Sequence, residues 1–394
     1  MKFDFSNANI FTNSKMTKGK LSEMEIPSLF DFSVVDFSGY DILPAFIDVH
    51  VHFREPGFSY KETIATGSRA AARGGYCAVG TMPNLNPVPD SLENLNRQLE
   101  IIGKDSVIKT IPFGAITKGQ NGKEIADLEA MAPFVCGFSD DGKGVDDMAL
   151  MREAMVRAKA LDKIISAHCE DGSCIKDSKE AEWKQIERDI KLVSDIGCKY
   201  HVCHISTKES VDLIREAKKS GVNITCETAP HYLTLIDSEK EDSGRFKMNP
   251  PLRDAIDRDA LIEGICDGTI DMIATDHAPH SAEEKGRGFE KSLNGIVGLE
   301  TAFPVMYTSF VKKGILTLDK LVALMSTNPS SRFGIEVNGF TAYDLNNEYK
   351  IDPEEFSTMG RSTPFANSSV YGKCVATVVD GKIAYIDKKI MKDR

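Results

Sequence analysis

At 394 residues with 41% apolar content, the chain can bury one large α/β core plus a small accessory domain, or two ordinary domains. Its 59 acidic against 48 basic side chains leave a net charge of -11, which argues against a phosphate-backbone partner and for a small molecule. No apolar run approaches the roughly 20 residues of a membrane span, and Met1 is not followed by a basic-then-apolar leader pattern, so a cytoplasmic protein is expected. Nine scattered cysteines without a CxxC pair read as reduced core residues.

From Asp41 to His280, short β-branched runs alternate with segments of helical period, the pattern of βαβ units and a parallel sheet. Eight strands are expected, at 42–53, 76–82, 107–116, 134–139, 163–168, 200–205, 222–228 and 269–275. The helices between them are expected at 60–73, 91–102, 123–131, 146–161, 178–196, 208–219 and 253–266. Gly74, Gly103 and Gly221 stand where helix C-caps belong, and Ser206-Thr207 and Asp146-Asp147 supply N-cap side chains. Helical stretches at 299–313 and 318–325 complete the outer layer. After Asn338 the chain turns into short extended pieces, with 376–379 and 382–386 joined through Asp380-Gly381 as a type I′ hairpin. The first 40 residues are likewise extended and polar. The expected fold is therefore α/β, a (β/α)8 TIM-like barrel over 44–330, with a small β domain built from 1–43 and 331–394. The rival, a doubly wound open sheet, finds no GxGxxG and no GxxxxGK[ST] to support it.

All eight histidines, His50, His52, His168, His201, His204, His231, His277 and His280, fall at or just after the ends of the first, fifth, sixth, seventh and eighth strands. That is the active-site face of such a barrel, although His201 taken alone reads as structural. In His50-Val51-His52 the two imidazoles sit at i and i+2 of a strand, on the same side, where they can share a metal. His168 and His204 end the fifth and sixth strands and can converge on a second metal. Asp276 ends the eighth, where a carboxylate can both ligate and move a proton. A shared anionic ligand is available in Phe138-Ser139-Asp140-Asp141-Gly142, from either aspartate, in what would otherwise read as an ordinary turn. Imidazoles with carboxylates suit zinc, and also manganese or cobalt.

The run His50-Val51-His52-Phe53-Arg54-Glu55-Pro56-Gly57 resembles the signature of dihydroorotases within the amidohydrolase superfamily. Met82-Pro83-Asn84, Ser139-Asp140-Asp141-Gly142, Ala167-His168-Cys169-Glu170-Asp171, His201-Val202-Cys203-His204, Met248-Asn249-Pro250-Pro251 and Ala274-Thr275-Asp276-His277-Ala278-Pro279-His280 follow in the order of its class I branch. The resemblance implies His50 and His52 on one metal, His168 and His204 on the other, Asp141 as the bridge, and Asp276 as ligand and catalytic acid/base. It also implies substrate contacts from His52, Arg54, Asn84, Asn249, His280, Asn294 and Gly295. Asn294 stands where relatives carry an aromatic residue, and the 171–198 segment is shorter than theirs, which trims a loop near the mouth.

The implied reaction is the reversible, metal-dependent cyclisation of N-carbamoyl-L-aspartate to (S)-dihydroorotate plus water, a step of de novo pyrimidine (UMP) biosynthesis, with about two zinc ions per chain. The implied partners are the small-molecule substrate, a second copy of the chain in a homodimer, and aspartate transcarbamoylase, with no nucleic acid and no membrane. Two rival readings remain, another cyclic amidohydrolase of the hydantoinase or allantoinase kind, and an inactive dihydroorotase-like scaffold. Arg54 and the aspartate bridge argue against the first, and the complete ligand set against the second.

Overall fold

Eight parallel strands run in chain order: β1 (Phe46–Val51), β2 (Tyr76–Thr81), β3 (Lys109–Pro112), β4 (Gly137–Phe138), β5 (Ile164–Ala167), β6 (Lys199–Val202), β7 (Ile224–Thr228) and β8 (Met272–Ile273). The computed structural model to which they belong describes residues 2–4, 7–12, 15–18 and 34–392. β1, β2 and β3 form one hydrogen-bonded ladder, and β4 to β8 form another. Parallel bridges from Gly114 to Phe138 and from Val51 to His277 join the two and close the barrel. Ile47, Val49, Ala78, Phe113, Ile164, Cys203 and Met272 pack together with Phe333, and side chains from so many strands can meet only in the barrel interior. Among the described residues, no helix is long and apolar enough to cross a membrane.

Several elements depart from the expected bounds. The run expected at 42–53 is two strands, because Asp41–Pro44 pairs antiparallel with Gly339–Asp344 before β1 begins. Between them the Ala45 carbonyl accepts the Ser326 hydroxyl at 2.7 Å, which takes it out of any ladder. The strand expected at 269–275 is only β8, since the Thr275 amide bonds the Asp48 carboxylate (3.1 Å) and the His277 amide bonds Thr275 Oγ1 (3.1 Å). The helix expected at 123–131 shrinks to Leu128–Met131. Here an antiparallel bridge joins Ile125 to Thr117, and the Ala126 and Asp127 amides bond the carbonyls of Ile116 (2.9 Å) and Asp90 (3.1 Å), which holds the first half of the segment extended. Gly103 is no C-cap, because its helix, Leu92–Asp105, continues past it. Thr207 and Asp147 do cap the helices that follow them.

Both chain termini contribute to a six-stranded sheet in the order Lys382–Ile386, Lys373–Val379, Gly339–Asp344, Asp41–Pro44, Asn9–Thr12, Lys15–Lys18. Its hairpin turns at Asp380 and Gly381 with φ of 49° and 73°, as a type I′ turn requires. The sheet docks on the end of helix Ile64–Arg73, where the Tyr343 hydroxyl donates to the Gly74 carbonyl (2.9 Å) and Thr377 Oγ1 to that of Ala72 (2.6 Å). Gly75, at φ 92°, is the only residue type this contact admits, since a Cβ there would fall 1.7 Å from the Tyr343 hydroxyl. Tyr343 also lies 4.1 Å from the ring of Phe303 and 5.7 Å from that of Phe46, contacts worth about 0.5–1.5 kcal/mol each beyond area burial.

Candidate active site

The C-terminal ends of the barrel strands open into a pocket of about 210 Å³. His52, Arg54, Asn84, Asp141, His168, His204, Asn249, Asp276, His280, Asn294 and Gly295 line it together, with Gly142, Glu170, Lys176 and Ala278 beside them. His50 lies just beneath, fully buried. Arg54, His204 and Asp276 leave their strands with φ of 27°, 32° and 47°, backbone strain of the kind that collects at functional sites.

Asp141 is common to both histidine pairs. His50 Nε2 stands 3.3 Å from its Oδ1 and His52 Nε2 3.4 Å from its Oδ2, while His204 Nε2 and His168 Nδ1 approach Oδ1 at 3.5 and 3.8 Å. Asp276 Oδ1 closes the other side, 3.1 Å from His52 Nε2 and 3.5 Å from His50 Nε2. Asp140 turns away to the loop amides, so the choice between the two aspartates is made by packing.

The outer nitrogens of the rings fix their tautomers. His50 Nδ1 lies 2.7 Å from Glu227 Oε1 and His52 Nδ1 2.8 Å from Asn84 Oδ1. Both oxygens can only accept, so each ring donates from Nδ1 and turns the lone pair of Nε2 toward the aspartates. Lone pairs facing carboxylate oxygens repel unless a cation lies between them. His50 Nε2 and Asp141 Oδ1 are buried and have no hydrogen-bond partner among the described residues, which is the environment a cation would complete. Two trios, His50 with His52 and Asp276, and His50 with Asp141 and His204, have ligand atoms within 4.8 Å of one another. The donor set fits a metal site.

The opposite wall is cationic. Arg54 donates from Nε to the Pro279 carbonyl (3.2 Å) and faces His280 Nε2 at 3.5 Å, with no carboxylate partner among the described residues. Burial lowers its pKa to about 10, which still leaves it charged at neutral pH. His280 bonds the Asn294 carbonyl through Nε2 (2.8 Å) and faces Lys61 through Nδ1 (3.2 Å). Burial and the two neighbouring cations push its pKa down to about 3, so the ring is neutral.

Two carboxylates at the site escaped sequence reasoning. Glu227, 1% exposed, joins His50 to His201 Nε2 (3.0 Å), and His201 Nδ1 goes on to Thr225 Oγ1 (2.9 Å). Burial opposes its charge, yet His50 and His201 hold its pKa at about 2. The signal was an acid inside an apolar strand, which must have a partner. Glu170, two residues beyond His168, faces His168 Nε2 at 3.4 Å and Asn249 Nδ2 at 3.4 Å. His201 is structural, as read alone, and two further histidines do not share the mouth as expected. His201 lies within β6, His231 packs on Tyr232, and His277 faces Thr358 Oγ1 (3.4 Å) with its Nδ1 on the Gly298 amide (3.2 Å).

Residues 39–185 match the family model described as dihydro-orotase-like. The dihydroorotase of Fusobacterium nucleatum is 50% identical over 97% of this chain and 98% of its own length. That of Geobacillus thermodenitrificans is 44% identical over 98% and 97%. Among solved structures, the L-hydantoinase (dihydropyrimidinase) from Arthrobacter aurescens superposes with a TM-score of 0.84 at 23% identity, covering 98% of this chain and 97% of that one. A D-hydantoinase from Thermus sp. gives 0.81 at 24%, covering 98% and 95%. At that identity the structures establish the TIM-barrel fold alone, whereas the sequence relatives run nearly end to end at up to half identity, and by them the chain belongs to the dihydroorotase family.

Proposed function

We propose that this pocket carries out the reversible closure of N-carbamoyl-L-aspartate to (S)-dihydroorotate and water, with His50, His52, Asp141, His168, His204 and Asp276 holding about two zinc ions. One observation carries the reading: a buried guanidinium without a carboxylate partner, Arg54, faces across one pocket a carboxylate and imidazole cluster whose lone pairs converge. Metals held there would supply Lewis acidity toward the ring carbonyl and would lower the pKa of a water so that hydroxide is available near neutral pH. In ring opening, Asp276 takes the proton of the attacking water and delivers it to the departing ring nitrogen, and in closure the same carboxyl works in reverse. Arg54 pairs its planar fork with the ring carboxylate. Asn84, its Oδ1 committed to His52, offers its amide N–H groups to the substrate, and Asn249, His280, Asn294 and Gly295 form the remaining wall.

The site of action proposed is the cytoplasm, within pyrimidine biosynthesis. Assembly as a homodimer and association with aspartate transcarbamoylase are part of the same proposal, and light scattering on the purified chain, alone and mixed with that enzyme, tests both. For the chemistry, the zinc-loaded chain is assayed with dihydroorotate, carbamoyl aspartate and unsubstituted hydantoin. Interconversion of the first two, lost on chelation and regained with zinc, is expected. A preference for hydantoin, or no turnover of dihydroorotate in the loaded protein, overturns the assignment.

A further inference from the structure

Lys285 ends the short helix Ala282–Lys285 and is 8% exposed, yet its ammonium meets no carboxylate among the described residues. It donates instead to two backbone carbonyls, Leu293 at 2.7 Å and Lys247 at 3.0 Å. Each carbonyl belongs to a segment that continues into the pocket wall, one toward Asn249 and the other toward Asn294 and Gly295. The Lys247 carbonyl also accepts the Gly295 amide at 3.0 Å, so a single ammonium ties the two segments to each other. Glu284, the adjacent acid, is turned the other way, toward Lys61 at 3.0 Å and His280 at 3.4 Å.

A buried ammonium held only by carbonyl dipoles is expensive, and here burial and the charge of Lys247 lower its pKa to about 7. A neutral glutamine could donate to the same carbonyls without that penalty, so tying two segments together does not account for the charge. The missing counter-charge is what the substrate carries. On the functional reading above, on which this inference rests, dihydroorotate brings one carboxylate and carbamoyl aspartate two. We propose that Lys285 is a positioning and specificity residue, which aligns the two wall segments and places an uncompensated positive charge behind them that favours anionic substrates in proportion to their charge.

The test is steady-state kinetics in both directions on the metal-loaded full chain, wild type against Lys285→Met, below pH 7 where the ammonium is charged. The expected result is a KM for dihydroorotate raised about tenfold, a KM for carbamoyl aspartate raised further by about threefold or more, and kcat within about threefold of wild type. Added salt should narrow the gap between the two substrates. Unchanged KM values, equal rises for both substrates, or a loss confined to kcat overturn the inference. Should Lys285→Met fail to fold, Lys285→Gln, which keeps a neutral donor, is judged by the same criteria. A wild-type chain that converts neither compound refutes the functional reading and this inference with it, whereas an active wild type with an unmoved variant refutes the inference alone.

Discussion

Replacing Glu227 by glutamine keeps the shape of the side chain and removes its charge beneath the metal site. The carboxylate takes two imidazole N–H groups, at 2.7 Å from His50 and 3.0 Å from His201, while only 1% exposed. A charge-assisted hydrogen bond exceeds a neutral one by about 1 kcal/mol, so the two together are worth about 2 kcal/mol. Because His50 presents Nε2 to Asp141 only while Nδ1 is held, the His50 share of that loss, about 1 kcal/mol, should appear as metal affinity weakened about fivefold. Competition against a chromophoric chelator measures it directly, and melting curves with and without metal separate affinity from folding. A Glu227→Gln chain that binds zinc as tightly as wild type, or that loses equal melting temperature in both states, would show that the carboxylate serves the fold alone.

Arg54→Met should lower kcat/KM for dihydroorotate by about 2–5 kcal/mol with metal content unchanged, and near wild-type kinetics would remove Arg54 from substrate recognition. Asp276→Asn should slow both directions by about 100- to 10,000-fold, and a fully metal-loaded variant that kept its rates would exclude the carboxylate from proton transfer. Lys285 has a folded pKa of about 7 against about 10.4 unfolded, so across that window the unfolded chain keeps a proton that the folded one has released. Stability of the metal-free wild type should therefore rise relative to Lys285→Met from pH 7 toward pH 10, and melting curves whose difference does not change with pH refute this.

The barrel was legible because its signal is local: eight apolar runs with helical segments between them, and the i, i+2 histidines that end the first. So was the hairpin at Asp380 and Gly381, where the residue pair itself sets the turn. What stayed hidden depends on partners distant in sequence. The helix expected at 123–131 loses its first half because the Ala126 and Asp127 amides go to the distant carbonyls of Ile116 and Asp90. Asp140 and Asp141 are the same residue type side by side, and only contact with Ile116 and Thr117 tells them apart. Glu227 finds His50 across 177 positions of chain, and no local pattern announces that pairing.

The barrel wall consists of two ladders, and the ligands proposed for the metals are divided between them. His50 lies in and His52 just after the three-stranded ladder, and Asp141, His168, His204 and Asp276 follow strands of the five-stranded one. The bridges at Gly114 and Phe138 and at Val51 and His277 are the backbone seams between these halves. A cation held by His50, His52 and the aspartates would therefore join both halves like a rivet, and part of its binding energy would go to keeping the seams shut. Emptying the mouth would then loosen the wall, and site occupancy and opening of the seams would be thermodynamically linked.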